Sequence, residues 1–82
     1  MAERLLVVED SRAMAKVIEQ LGKSLGYEVT IAASLAEVEA ILQGEGGSDF
    51  FVATVDYSLP DAHDGEAIKC VLSHGIPSIC LL

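Results

Sequence analysis

Positive charge is scarce in this chain. Five Lys and Arg stand against 13 Asp and Glu, for a net charge of −8. A surface that binds nucleic acid through its phosphates needs a basic footprint. Direct nucleic-acid binding is therefore disfavoured, and so is attachment to an anionic membrane surface. Long apolar runs are also missing. No stretch approaches the ~20 residues needed to span a bilayer. The start, Met1-Ala2-Glu3-Arg4, lacks the basic opening and long apolar segment of a signal peptide. Cysteine is limited to Cys70 and Cys80, whose spacing suits neither a metal site nor a redox motif. Two free thiols without a signal segment point to a reducing cytoplasm, with both side chains expected in the core as small apolar groups. Residues 9–13 contain no glycine, which leaves no phosphate-cradling loop after the first apolar run and argues against a flavin-binding module. Repeats, low-complexity tracts and interdomain linkers are absent.

What is present is apolar and regularly spaced. Apolar residues make up 51% of 82, enough for the core of one small domain, residues 1–82. Short apolar runs alternate with amphipathic stretches. Arg4–Val8 reads as a strand. Ser11 caps a helix bearing Met14, Val17, Ile18, Leu21 and Leu25 on one face, and Gly26 closes it. Tyr27–Ala32 reads as a second strand. Ser34 and Glu37 form a capping box for a helix with Leu35, Val38, Ile41 and Leu42 inward. The glycine-rich run 44–49 is a loop. Phe50–Val55 is a third strand, with Phe51, Ala53 and Val55 on one face and Phe50 and Val52 on the other. A short helix runs from about Gly65 to Ser73 with Ala67, Ile68, Val71 and Leu72 apolar, and Ile76–Leu82 is a fourth strand. Strands alternating with helices imply a parallel sheet joined by right-handed crossovers. The expected order is 2-1-3-4, an α/β doubly wound fold with elements β1-α1-β2-α2-β3-α3-β4. Such a sheet has its ligand crevice where the chain reverses direction, at the carboxyl ends of the first and third strands.

Glu9, Asp10 and Asp56 stand at that point. Three carboxylates in one small volume repel each other unless a cation or a proton intervenes. Hard oxygen donors suit Mg²⁺, which is commonly held by few carboxylates together with a phosphate. Asp10 and Asp56 are candidate direct ligands, Glu9 a direct or water-mediated one, and the backbone carbonyl of Ser58 a further one. A phosphoryl donor on the metal would sit beside Asp56, and aspartate is an established type of phosphoryl-accepting nucleophile. Taken singly, each acid has a plainer role. An Asp after a strand commonly serves a turn, and an acid pair before Ser11 complements a helix N-terminus. Asp61 and Asp64 are expected to serve the loop and the start of the third helix, and His63 to be solvated. A Mg²⁺-dependent phosphatase is a further possibility, but the second Asp it would want two residues after Asp56 is Ser58.

At these residues the chain resembles the receiver domain of two-component response regulators. The match comprises Leu5-Leu6-Val7-Val8-Glu9-Asp10-Ser11, Asp56-Tyr57-Ser58-Leu59-Pro60 followed by Asp64-Gly65, and Ile76-Pro77-Ser78-Ile79. The resemblance implies a flavodoxin-like fold. It implies that Asp56 accepts a phosphoryl group from a sensor histidine kinase or phosphotransfer protein, and that Mg²⁺ is bound by Glu9, Asp10, Asp56 and the Ser58 carbonyl. It also implies a signalling switch rather than an enzyme. The loop from Pro60 to Gly65 is one residue longer than the family's commonest form. The sequence ends at Leu82, before the positions where the family places a phosphoryl-binding Ser or Thr and a Lys. Lys16, Lys23 and Lys69 fall on helices and do not replace the latter. From this the expectation is impaired phosphorylation and a sheet with one face and the strand-four edge uncovered, hence a homodimer through either. The competing reading is a receiver-like oligomerisation module without phosphotransfer.

Overall fold

The computed structural model describes residues 3–44, 49–57, 59–62 and 64–81. Its elements are β1(Arg4–Val8), α1(Arg12–Ser24), β2(Glu28–Ala32), α2(Leu35–Gln43), β3(Phe50–Asp56), α3(Glu66–Ser73) and β4(Ser78–Leu81). The strands form one parallel sheet in the order β2-β1-β3-β4, the doubly wound, flavodoxin-like arrangement that the alternating pattern implies. Residues 45–48 of the expected glycine-rich loop, His63 and Leu82 lie outside the described residues.

β1 is apolar on both faces because it is covered on both. Leu5, Leu6, Val7 and Val8 are all buried. Val8 stands level with Ala32 on one side and Val55 on the other. α2 and α3 close one face of the sheet over a core that includes Leu6, Val8, Val38, Phe50, Ala53, Val55, Val71 and Ile76. α1 lies on the other face, above β1 and β2, and meets them through small residues. Ala15 and Gly22 are its buried positions. A Cβ on Gly22 would come 2.7 Å from Leu5 Cδ2 and 3.0 Å from Val29 Cγ2, so glycine is what allows the helix to lie this close.

Four expectations need correction. First, the α1 stripe Met14, Val17, Leu21 and Leu25 does not rest on the sheet. All four residues are at least half exposed, because the contact is made by the narrower Ala15–Ile18–Gly22 edge of the helix. Second, strict alternation fails in β3. Arg4 pairs with Phe50 but Leu5 with Val52, so Phe51 is an extra residue of the kind that makes a bulge. Phe50 therefore joins Ala53 and Val55 in the closed core at 5% exposure, with Arg4 over its ring at 4.3 Å. Phe51 turns to the α1 face and is 53% exposed. Third, β4 begins at Ser78 rather than Ile76. Pro77 has no N–H to give to a ladder, although its carbonyl accepts from Ala53 N–H at 2.9 Å. Fourth, Leu72 on α3 is exposed, as is Cys80, while Cys70 is only partly buried against the core.

Candidate functional site

The site is built where β1 and β3 end. Glu9 continues the β1 ladder for one more step, its N–H donating to the Ala32 carbonyl at 2.9 Å. Its carboxylate Oε1 accepts from Ser11 N–H at 3.1 Å. Ser11 then starts α1, its hydroxyl accepting from Met14 N–H at 3.3 Å. Glu9 is thereby fixed at the junction between a strand and a helix N-terminus, and the latter attracts negative charge. Asp56 is the last residue of β3, level with Leu81 of β4, and the next backbone group, Tyr57 N–H, still donates to Leu81 O at 2.9 Å. The sheet therefore holds both acid-bearing ends from either side.

Glu9, Asp10 and Asp56 each bring one carboxylate oxygen into a group whose atoms lie within 4.8 Å of one another. Their exposure is graded. Glu9 is only 8% exposed, Asp56 is intermediate and Asp10 is exposed. Burial pushes the Glu9 carboxyl above its ordinary 4.5, and the Asp56 charge together with hydrogen bonds to the Asp10 and Asp56 side chains push it the same way. The Ser11 N–H opposes this. The folded chain thus holds Glu9 in a place that favours a proton or a cation.

The donor set suits a hard cation. Octahedral Mg²⁺ with oxygens at ~2.1 Å sets its ligands ~3 Å apart when adjacent and ~4 Å apart when opposite. Three carboxylate oxygens within 4.8 Å of one another are near those spacings. Each donor in this group is a carboxylate oxygen, the kind of ligand a hard cation takes. Ser58, whose carbonyl the sequence nominates as a further ligand, lies outside the described residues.

The loop after Asp56 is pinned by contacts the sequence does not announce. Leu59 and Ala62, both 1% exposed, exchange backbone hydrogen bonds at 2.9 and 3.1 Å and plug the closed core. Between them, Asp61 reaches back to α2. Its two carboxylate oxygens accept from Leu35 N–H at 2.8 Å and Ala36 N–H at 3.1 Å. Asp61 therefore serves the start of the second helix, not the third, and shares it with Ser34, whose hydroxyl accepts from Glu37 N–H. Glu37 in turn accepts from Ala33 N–H, one residue earlier than a capping box requires. Nothing in the local pattern marks Asp61 for this, because its partners are 25 and 26 residues away. α3 starts at Gly65, in the left-handed region at φ 78°. A Cβ there would meet the Tyr57 ring at 2.8 Å, so Tyr57, beside Asp56, is packed on the glycine that opens α3.

A doubly wound parallel sheet with an acidic crevice at its reversal point defines a class of α/β ligand-binding and signalling modules. No family model matches the sequence, and no curated protein does. Solved structures match it closely. A CheY-like response regulator receiver domain protein from Methanospirillum hungatei JF-1 is 32% identical over 98% of this chain, with a TM-score of 0.83. The response regulator PhyR from Brucella abortus is 34% identical over 98%, with a TM-score of 0.81. The receiver domain of the hybrid histidine kinase CckA is 26% identical over 94% of this chain and covers 72% of its own, with a TM-score of 0.81. Over nearly its whole length the chain matches response-regulator receiver domains in fold and in sequence. It spans 63% of the Methanospirillum protein and 33% of PhyR. Among the described residues no helix is long and apolar enough to cross a membrane.

Proposed function

We propose that this chain is a phosphoacceptor receiver module in which Asp56 takes a phosphoryl group from a histidine kinase or phosphotransfer protein. The observation that carries the reading is the convergence of Glu9, Asp10 and Asp56 within 4.8 Å at the reversal point of a receiver fold. In the proposed step an Asp56 carboxylate oxygen attacks phosphorus, the phosphorus–nitrogen bond of a phosphohistidine breaks, and the histidine keeps the bonding pair. The product is an aspartyl phosphate. Glu9, Asp10 and Asp56, with the Ser58 carbonyl, would hold Mg²⁺. Bound there, the ion supplies the positive charge that offsets charge on the transferred group. Glu9 keeps its carboxylate aimed into the crevice through Ser11 N–H, and the β1–β3 pairing holds Asp56 beside it. We take residues 1–82 as one receiver unit working in a reducing, cytoplasmic setting, acting as a signalling part rather than as an enzyme.

The test is incubation with Mg²⁺ and a small phosphodonor, read by intact mass. A phosphate-sized gain that disappears in Asp56→Asn and in the presence of a chelator is expected. Magnesium binding with no mass gain favours the second reading, a receiver-like module whose work is self-association. That reading has its own observation: a row of large apolar side chains on α1, β3 and β4 stands exposed.

A further inference from the structure

The first turn of α2 is joined to both segments that carry the acids. On one side the join runs through β2. Glu9 N–H donates to the Ala32 carbonyl at 2.9 Å, and from Ala32 the chain passes through Ala33 to Ser34, the cap of α2. Ala33 N–H donates to Glu37 Oε1 at 3.3 Å, which fixes this short connection to the helix. On the other side the join runs through Asp61, on the loop that leaves Asp56. Its carboxylate accepts from Leu35 N–H at 2.8 Å and Ala36 N–H at 3.1 Å. Leu59 and Ala62, on either side of Asp61, exchange backbone hydrogen bonds and are buried in the core, so the hold of the carboxylate passes to the loop instead of being lost in slack. A helix leaves its first N–H groups without partners of its own. In α2 a local residue, Ser34, serves Glu37 N–H at 3.2 Å, and the acid-site loop serves the two before it. The Asp61 charge thus rests on the positive end of a helix, and Asp61 is not among the three carboxylates that converge.

We propose that Asp61 is a positioning residue for cation binding at Glu9, Asp10 and Asp56: by clasping the loop after Asp56 to the α2 start, it ties that loop to the segment that also holds Glu9. The inference rests on the metal site proposed above and assigns to it a residue that is not a ligand. Holding one cation between two backbone segments requires their spacing to be set, and any freedom the segments must give up on binding weakens it. The sheet sets that spacing as far as the strands run, with Val8 level with Val55. Past Asp56 the chain leaves the sheet, and the clasp at Asp61 takes over. Two sites joined in this way are linked reciprocally. What loosens the clasp weakens the cation, and what holds the cation strengthens the clasp.

Calorimetric titration of the 82-residue chain with MgCl₂ tests this, with circular dichroism to check that each variant is folded. Asp61→Ala is expected to raise the Kd for Mg²⁺ at least about fivefold, the lower end of ordinary coupling between sites. Asp61→Asn keeps an oxygen acceptor and loses the charge, and should recover part of the affinity. Ser34→Ala weakens the same helix start from a residue outside the loop, and should leave the Kd unchanged. An Asp61→Asn variant as weak as Asp61→Ala overturns positioning in favour of a through-space charge effect. A Ser34→Ala variant as weak as Asp61→Ala overturns it in favour of general loosening of α2. Equal Mg²⁺ affinity in wild type and Asp61→Ala overturns the inference and leaves the metal site standing. A wild-type chain that takes up no Mg²⁺ overturns the metal site and the inference with it.

Discussion

The two faces of the sheet are built from similar residues and end in opposite conditions. On the α2–α3 face the apolar side chains of strands and helices meet, and Leu6, Val38, Ala53, Val55, Ala67 and Val71 have lost essentially all contact with water. On the α1 face the helix touches β1 and β2 through Ala15 and Gly22 and stops there. Its strongest apolar stripe looks over β3 and β4 without resting on them. The difference shows that amphipathicity states how much a helix can bury, and that the small residues at the line of contact decide where. The closed face supplies stability; the open one leaves large apolar side chains in contact with water.

The largest effect should follow from damage to the closed face. Leu6→Ala removes a fully buried side chain at the centre of the sheet and is expected to cost about 3 kcal/mol. Leu21→Ala, at an exposed position, should cost less than ~0.5 kcal/mol. Urea titration compares them directly, and equal losses would erase the distinction between the faces. Next is the link between the site loop and α2. Asp61→Ala removes an acceptor from two helix-start N–H groups and should cost about 1 kcal/mol, the usual value of a lost cap. Asp61→Asn should recover part of that.

The smallest effect, and the one most specific to the site, is in pH. Burial and the neighbouring acids raise the Glu9 carboxyl in the folded chain above its ordinary 4.5. Between 4.5 and the raised value the folded chain binds more proton than the unfolded one, so stability falls as pH rises through that window. The contribution is complete below 4.5 and gone above the folded value. Magnesium should reverse the trend, because it competes with the proton for the same oxygens. Thermal unfolding with and without Mg²⁺ across pH 4–8 reads both signs. Glu9→Gln should flatten the metal-free slope and reduce the metal response. A Mg²⁺ effect that is the same at pH 4 and pH 8 would sink the idea of a shared site.

Much of the fold can be read in the residues. Helical spacing and apolar runs alternate cleanly, and the handedness of parallel crossovers leaves few ways to arrange four strands, so the order 2-1-3-4 and the meeting of Glu9, Asp10 and Asp56 follow from pattern alone. What escapes has a common physical cause: it depends on one residue meeting another far along the chain. Alternation places Phe51 on the same face as Ala53 and Val55, but the bulge opposite Arg4 and Leu5 turns it to the other. Periodicity gives α1 one apolar face, but the approach allowed at Gly22 chooses a different edge for contact. Cys80 looks like a core residue by composition, yet its strand lies at the margin of the sheet. Cys70 conforms better, with burial pushing its thiol up and the Glu39 charge adding to the shift. Asp61 reads as a local loop residue because its partners at the start of α2 cannot be seen from its neighbours.

That last contact turns two ordinary amides into instruments. Leu35 and Ala36 N–H are bonded to a side chain on the loop that begins at Asp56. Their exchange with deuterated solvent and their chemical shifts are therefore governed by where that loop stands. If chemistry at Asp56 displaces the loop, the signal will emerge first at the head of α2, far from the acid in sequence and without any label placed near it.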